Sequence, residues 1–166
     1  SPDELVPMDK ETVGEVVIFA PNKSTFAYYD NPKTTEEKFH NGWLYTGDLA
    51  TWDEHAYITI IGRKDDMIVS AGENIYPVQV ESILNEHPKV AESLVFGIPD
   101  PKRGSVIAAL IRPSDPSLTE KEMKQFCMNH PMLAPYKRPR IFRFVKELPH
   151  NATGKLLHKL PPDFKF

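Results

Sequence analysis

The stretch Gly62-Arg63-Lys64-Asp65-Asp66-Met67-Ile68-Val69-Ser70-Ala71-Gly72-Glu73-Asn74-Ile75-Tyr76-Pro77 divides the sequence into two parts of different character. Residues 62–66 are glycine and charge only, and they interrupt an apolar pattern as a linker or exposed turn does. Upstream, the signals are those of strands. Residues 14–20 (GEVVIFA) are β-branched and apolar between Gly14 and Pro21 and read as a strand. Residues 34–39 follow Asn31-Pro32 and suit a short helix. Residues 42–52 and 57–61 read as two strands joined by the polar turn Asp53-Glu54-His55. Tyr57, Thr59 and Ile61 alternate with Ile58 and Ile60, so both faces are apolar, and the pattern predicts strands buried on most sides.

Downstream, the elements alternate. Residues 67–70 form a short strand and Ala71-Gly72-Glu73-Asn74 a turn, after which Pro77 sits at a first helical position. The helix from Val78 places Val80, Ile83, Leu84 and His87 on one face and ends by Pro88. Two strands follow over residues 90–98 and 105–112, joined by Pro99-Asp100-Pro101-Lys102-Arg103-Gly104. Thr119 and Glu122 have the spacing of a reciprocal capping box, and the helix they open carries Met123, Phe126, Cys127 and His130 as a buried stripe. A proline-broken loop over 131–139 leads to a last strand, 140–145, then a loop over 147–155 and one further helical turn. The fold class is therefore α+β: residues 67–166 form a unit of roughly a hundred residues, large enough to fold alone. Residues 62–66 are the joint, and residues 1–61 resemble strands taken from something larger, too few to bury both faces.

Composition bounds the function. A chain of 166 residues makes one domain, or a small domain and a piece of another. Hydrophobic residues at 40% and charged residues at 26% are ordinary for a soluble protein. A net charge of −3 points away from nucleic acid and anionic membrane, so any anion site must be a local Lys/Arg cluster. Cys127 is the only cysteine, which rules out an internal disulfide and a multi-thiolate metal site. The histidines at 40, 55, 87, 130, 150 and 158 lack metal-ligand spacing and read as structural or surface residues; no metal ligand is expected in this chain. No apolar run reaches membrane length. The chain opens Ser1-Pro2-Asp3-Glu4, without Met or a signal-like segment, as a processed or cut protein would, and the expected location is the cytoplasm. Sixteen prolines punctuate the elements, and there is no internal repeat.

Four segments carry chemistry. In Thr46-Gly47-Asp48 a carboxylate follows a sharp turn, where it can accept two hydrogen bonds from a diol such as ribose; alone, it equally well caps its own turn. Arg63 offers a fixed fork of donors for hydroxyl or phosphate oxygens, although a charged turn between strands is commonplace. Tyr136-Lys137-Arg138-Pro139-Arg140 places three cations beside an aromatic, a local phosphate site that Lys102 and Arg103 can join if the loops meet. In Leu148-Pro149-His150-Asn151-Ala152-Thr153-Gly154-Lys155, Gly154 lets the backbone project Lys155 from a loop tip, where a compact ammonium can bridge a phosphate and a carboxylate.

In this order and spacing the four segments resemble the adenylate-forming superfamily: acyl-CoA synthetases, adenylation domains of nonribosomal peptide synthetases, and beetle luciferases. The resemblance runs from Gly14 to Lys159. It implies a small, mobile C-terminal domain with a central sheet flanked by helices and a short hairpin, preceded by strands from the β-barrel end of a large N-terminal domain. It also implies a reaction in which a carboxylate attacks the α-phosphate of ATP, releasing pyrophosphate, and a thiol then takes the acyl group and releases AMP. By resemblance Lys155 is the catalytic lysine of the first half-reaction, Asp48 and Arg63 bind the nucleotide, and Asp65 is the hinge. Ala71, Gly72 and Glu73 line the pantetheine path, and Lys137, Arg138 and Arg140 meet the nucleotide end of CoA. The implied ligands are ATP, Mg2+, CoA and a fatty or aromatic acid, and the implied partner is the N-terminal domain of the same enzyme. The departures are Arg103 at a position that is often aromatic and Val69 where many members carry lysine. The family's phosphate loop and magnesium-binding acid are missing from this sequence. The implied function is that of an acyl-CoA ligase, favoured by the basic stretch over two alternatives: an adenylation domain serving a carrier protein, and a non-catalytic binding module.

Overall fold

The computed structural model describes residues 4–21 and 27–158. The backbone separates into two compact units, residues 1–65 and residues 66–166. Among the described residues there are three α-helices and three small sheets, a mixed α/β arrangement.

The first unit is built around one long strand. The strands β1 (Gly14–Phe19), β2 (Phe39–His40), β3 (Trp43–Trp52) and β4 (Ile58–Arg63) form an antiparallel sheet in which β3 pairs with each of the others. The short helix α1 (Pro32–Lys38) has Pro32 in its first turn, and the Asn31 side chain accepts the Thr34 N–H. The β3–β4 turn closes on Asp53, whose Oδ1 accepts the N–H groups of His55 and Tyr57 at 3.0 Å each. The hydrogen bond from Tyr57 is the largest cause of the lowered Asp53 pKa. Ile61 of β4 is buried, but the other apolar residues here do not become core: Ile58 is 59% exposed and Ile60 57%, and Tyr57, just before the strand, is 73% exposed.

The second unit begins with a two-stranded hairpin, β5 (Ile68–Ser70) and β6 (Glu73–Ile75), then α2 (Pro77–Leu84). Glu73 and Asn74 belong to the strand, so the turn is only Ala71-Gly72, both at positive φ (52° and 87°). A two-residue hairpin loop with both residues at positive φ matches the right-handed twist of its strands, and it holds Ala71 in a region where an L side chain is strained. The Ala71 N–H bonds to the Arg103 carbonyl at 2.8 Å, which fastens the tip to the turn between the next two strands.

Those strands, β7 (Val90–Asp100) and β8 (Gly104–Pro113), are antiparallel, and β9 (Ile141–Phe144) lies parallel on the far side of β8. A parallel neighbour needs a crossover. The helix α3 (Glu120–Asn129) lies in that connection. The pairing of β7 and β8 extends to Asp100 and Gly104, further than the sequence pattern, since Asp100 Oδ1 accepts the N–H groups of Lys102 and Arg103 and closes a tight turn. Only half of the expected capping box forms: Thr119 accepts the Glu122 N–H at 3.2 Å, but the Glu122 carboxylate lies 3.0 Å from Lys89 Nζ.

Alternate residues of the three-stranded sheet enter two cores. Val95, Ile107, Ala109, Ile111 and Phe142 pack with Val80 and Leu84 of α2 and Met123 and Cys127 of α3. Leu94, Phe96, Ala108 and Leu110 face the other way and are covered by Ile141, Val145, Leu148 and Leu156. Phe142 is buried, whereas Phe144 is half-exposed. We expect Phe142→Ala to cost about 3–5 kcal/mol in urea unfolding and Phe144→Ala less than about 1 kcal/mol.

Candidate functional site

Asp48 and Arg63 are fifteen residues apart in sequence and directly opposite in the β3–β4 register. The Arg63 guanidinium donates to Asp48 Oδ1 at 2.7 Å and to the Thr46 carbonyl at 3.1 Å. The sharp turn expected at Thr46-Gly47-Asp48 is a stretch of β3, where Thr46 donates its hydroxyl to the Val16 carbonyl at 2.7 Å and accepts the Asp48 N–H at 3.0 Å. A carboxylate has room for several donors, so one contact to Arg63 leaves Asp48 able to accept from hydroxyl groups. Both side chains are partly exposed, and the pair itself adds at most about 1 kcal/mol of stability. Its value lies in orientation.

Three further residues complete this corner, and no sequence signal marked them. Glu15 accepts the Gly47 N–H at 3.0 Å and the Lys64 ammonium at 3.0 Å. Lys38 Nζ lies over Gly47, where a Cβ would come within 3.1 Å of it and within 3.2 Å of the Arg63 guanidinium. Glycine at 47 therefore lets two cations approach the backbone beside Asp48. Asp65 follows in a single 3-10 turn, Lys64–Asp66, with its side chain exposed.

Lys155 closes a five-residue loop built on Asn151. Asn151 Oδ1 accepts the N–H of Thr153 at 2.9 Å, its hydroxyl at 2.7 Å and the N–H of Lys155 at 2.9 Å. The Asn151 N–H returns a bond to the Lys155 carbonyl at 2.9 Å, and His150 and Leu156 form an antiparallel bridge at the neck. Gly154 takes φ 80°, with open space around it. The Lys155 side chain is exposed and makes no ion pair among the described residues. Asn151 is a residue type that favours such a turn, since its side chain hydrogen-bonds the backbone two residues on.

The remaining candidates do not converge. Ala71, Gly72 and Glu73 are exposed at the hairpin tip, and a Cβ at Gly72 would meet nothing within 4 Å. Arg103 joins this tip through its carbonyl, and Val69 is half-exposed beside it. In the basic stretch, Lys137 Nζ reaches Gln79 on α2 at 3.3 Å and Arg138 Nε donates to the Leu133 carbonyl at 3.1 Å, while Arg140 is exposed. Arg138 thus serves as a crosslink inside its loop.

Residues 79–155 match the AMP-binding enzyme C-terminal domain. The chain is homologous to the 2-succinylbenzoate–CoA ligases, which are acid–thiol ligases. The ligase of Bacillus cereus (strain Q1) is 45% identical over 148 residues, 89% of this chain and 30% of that protein. The o-succinylbenzoate CoA synthetase from Bacillus subtilis, in complex with the acyl-adenylate intermediate OSB-AMP, matches with a TM-score of 0.83 at 38% identity, over 95% of this chain and 32% of that one. The same enzyme in complex with ATP and magnesium ion matches with a TM-score of 0.79 at 38% identity, over 90% of this chain and 30% of that one. The chain spans about 30% of the length of the curated relatives it matches.

Cys127 is not part of a reactive site. Burial pushes its thiol up to about 11, with Arg138 acting in the opposite sense. At pH 8 only about one molecule in a thousand would carry the thiolate, the reactive form. We expect a thiol reagent to leave Cys127 unlabelled in the folded chain and to label it fully after unfolding.

Proposed function

We propose that this chain is the C-terminal portion of an ATP-dependent acyl-CoA ligase. The enzyme joins a carboxylic acid to AMP and then transfers the acyl group to CoA. The observation that carries this reading is the Asp48–Arg63 pair, which presents a carboxylate and a fixed guanidinium side by side on adjacent strands, in a chain homologous to acid–thiol ligases. The identity to 2-succinylbenzoate–CoA ligases favours an aromatic acid of that kind over a fatty acid.

In this proposal residues 1–61 are the end of the large adenylating domain, residues 62–66 the hinge and residues 67–166 the mobile domain. The exposed apolar residues of β4 support the first assignment, since they are what a missing neighbour would cover. Asp48 accepts hydrogen bonds from the ribose hydroxyls, and Arg63 holds the Asp48 carboxylate in place beside the nucleotide. Lys155 stands between the attacking carboxylate and the α-phosphate. A cation there offsets the repulsion of two anions most strongly as they meet, so it acts on the first half-reaction. In the second, the thiol attacks the acyl carbon, the acyl–phosphate bond breaks and AMP leaves. The open Ala71-Gly72-Glu73 tip would give the pantetheine arm room, and Lys137, Arg138 and Arg140 would face the CoA phosphates; the exposed Arg140 is best placed for it.

Mg2+ would enter with ATP. Its ligands are assigned in this proposal to the upstream domain. No helix among the described residues is long and apolar enough to cross a membrane.

Lys155→Ala in a protein that includes the upstream region is expected to slow acyl-adenylate formation by about 10²–10³-fold. Thioester formation from supplied acyl-adenylate should stay within a few-fold of the parent. Equal loss in both half-reactions would overturn the role given to Lys155. ATP–pyrophosphate exchange by the 166-residue chain alone would overturn the division between the domains.

A further inference from the structure

The loop that carries Lys155 is held at both ends by histidines, and the hydrogen-bond partners determine their charge. His150 places Nδ1 2.8 Å from the Leu148 carbonyl oxygen and Nε2 3.0 Å from Glu92 Oε1. Both partners are acceptors only. Both ring nitrogens must therefore donate, and only the imidazolium has two N–H groups. At the other end, His158 places Nε2 2.9 Å from Glu81 Oε1 and Nδ1 3.7 Å from Asp66 Oδ2, so its ring also faces carboxylates on both sides.

These contacts reach into the body of the second unit. Glu81 is buried on α2, and the oxygen that meets His158 also accepts the Val95 N–H of β7 at 2.8 Å. A buried carboxylate is tolerated where a cation and donors satisfy it, and His158 supplies the cation. Glu92 of β7 is shared with Arg112 of β8, whose Nε lies 3.4 Å from the other oxygen. Arg112 opposes protonation of His150, but the hydrogen bond to Glu92 outweighs it, and the His150 pKa is raised. At His158 the bond to Glu81 is the largest cause of a raised pKa, and Asp66 adds to it. The loop itself is held together by Asn151 and is attached elsewhere by Leu148 and Leu156.

We infer that His150 and His158 are positioning residues, a pair of protonated feet that fix the Lys155 loop on its domain and release it when they lose their protons. The catalytic consequence rests on the proposed role of Lys155; the structural claim does not. A lysine that must stand between two reacting anions needs a fixed base, because a small misplacement costs much of the rate. Both pKa values are raised. The clamp is therefore complete below the ordinary histidine range and is lost as pH rises through the raised values.

The test is NMR on the 15N-labelled chain, reading the titration of His150 and His158 together with the amide order parameters of Thr153, Gly154 and Lys155. Order in the three amides should fall with the same midpoints as the two rings. His150→Gln and His158→Gln should loosen the loop at every pH, while His158→Arg, a permanent cation, should keep it ordered into the alkaline range. Preserved β7–β8 amide shifts would report that each variant has folded. Order that is independent of pH in the parent and unchanged in both glutamine variants overturns the inference. A loop that loosens as expected, with no fall in acyl-adenylate formation by the corresponding longer protein, supports the clamp and overturns the role proposed for Lys155.

Discussion

The strand β8 is buried on both faces, and the second unit is arranged to satisfy that requirement. Ile107, Ala109 and Ile111 point one way and Ala108 and Leu110 the other, and each is almost fully buried. Two helices cover the first face. The second is covered by the segment that runs on from β9, through Val145, Leu148 and Leu156. Burying a leucine side chain contributes roughly 1.5–3 kcal/mol, whereas an exposed loop hydrogen bond contributes about 1 kcal/mol. The leucines therefore decide where the Lys155 loop is attached, and Asn151 with the two histidines decides its shape and steadiness. The candidate catalytic lysine is carried by the same segment that completes the core.

What the sequence made legible follows from the range of the interaction. Helices α2 and α3 were readable because Val80 and Leu84, and Met123 and Cys127, recur at helical spacing, and because Pro77 and Thr119 mark the starts. Glycine and charge at 62–66 marked a break, although Gly62 and Arg63 belong to β4. Asp48, Arg63 and Lys155 were readable as residue types in an ordered pattern. Their geometry was not. The Asp48–Arg63 contact depends on strand register, and the Glu81–His158 contact joins residues 77 apart in sequence. No local pattern encodes either.

Where the structure departs from the local pattern, the origin is the same. The turn expected over Ala71-Gly72-Glu73-Asn74 is confined to Ala71-Gly72, where alanine is disfavoured at positive φ but is helped to stay by its N–H bond to the Arg103 carbonyl of a distant loop. Lys137, Arg138 and Arg140 are neighbours in sequence, and their contacts inside the domain, Lys137 to Gln79 and Arg138 to the Leu133 carbonyl, carry no local signal. The apolar alternation of β4 signals burial correctly only if the covering surface belongs to the chain at hand. Tyr57, Ile58 and Ile60 remain exposed here, and that mismatch is itself informative.

The short turn between the two units shows how local bonding can favour a pivot. Lys64 is tied to Glu15 in the first unit at 3.0 Å. Asp66 faces His158 in the second unit at 3.7 Å. Between them stands Asp65, exposed, with no side-chain bond among the described residues. Each neighbour is committed to a different body, so rotation about the backbone at 65 breaks neither contact. A pivot one residue earlier would strain the Lys64–Glu15 pair, and one residue later the contact to His158. This supports the hinge proposed at Asp65, and it links that hinge to the loop clamp. Asp66 both ends the turn and faces the ring that steadies Lys155, so the lysine's foot is anchored directly beside the point about which its domain would turn.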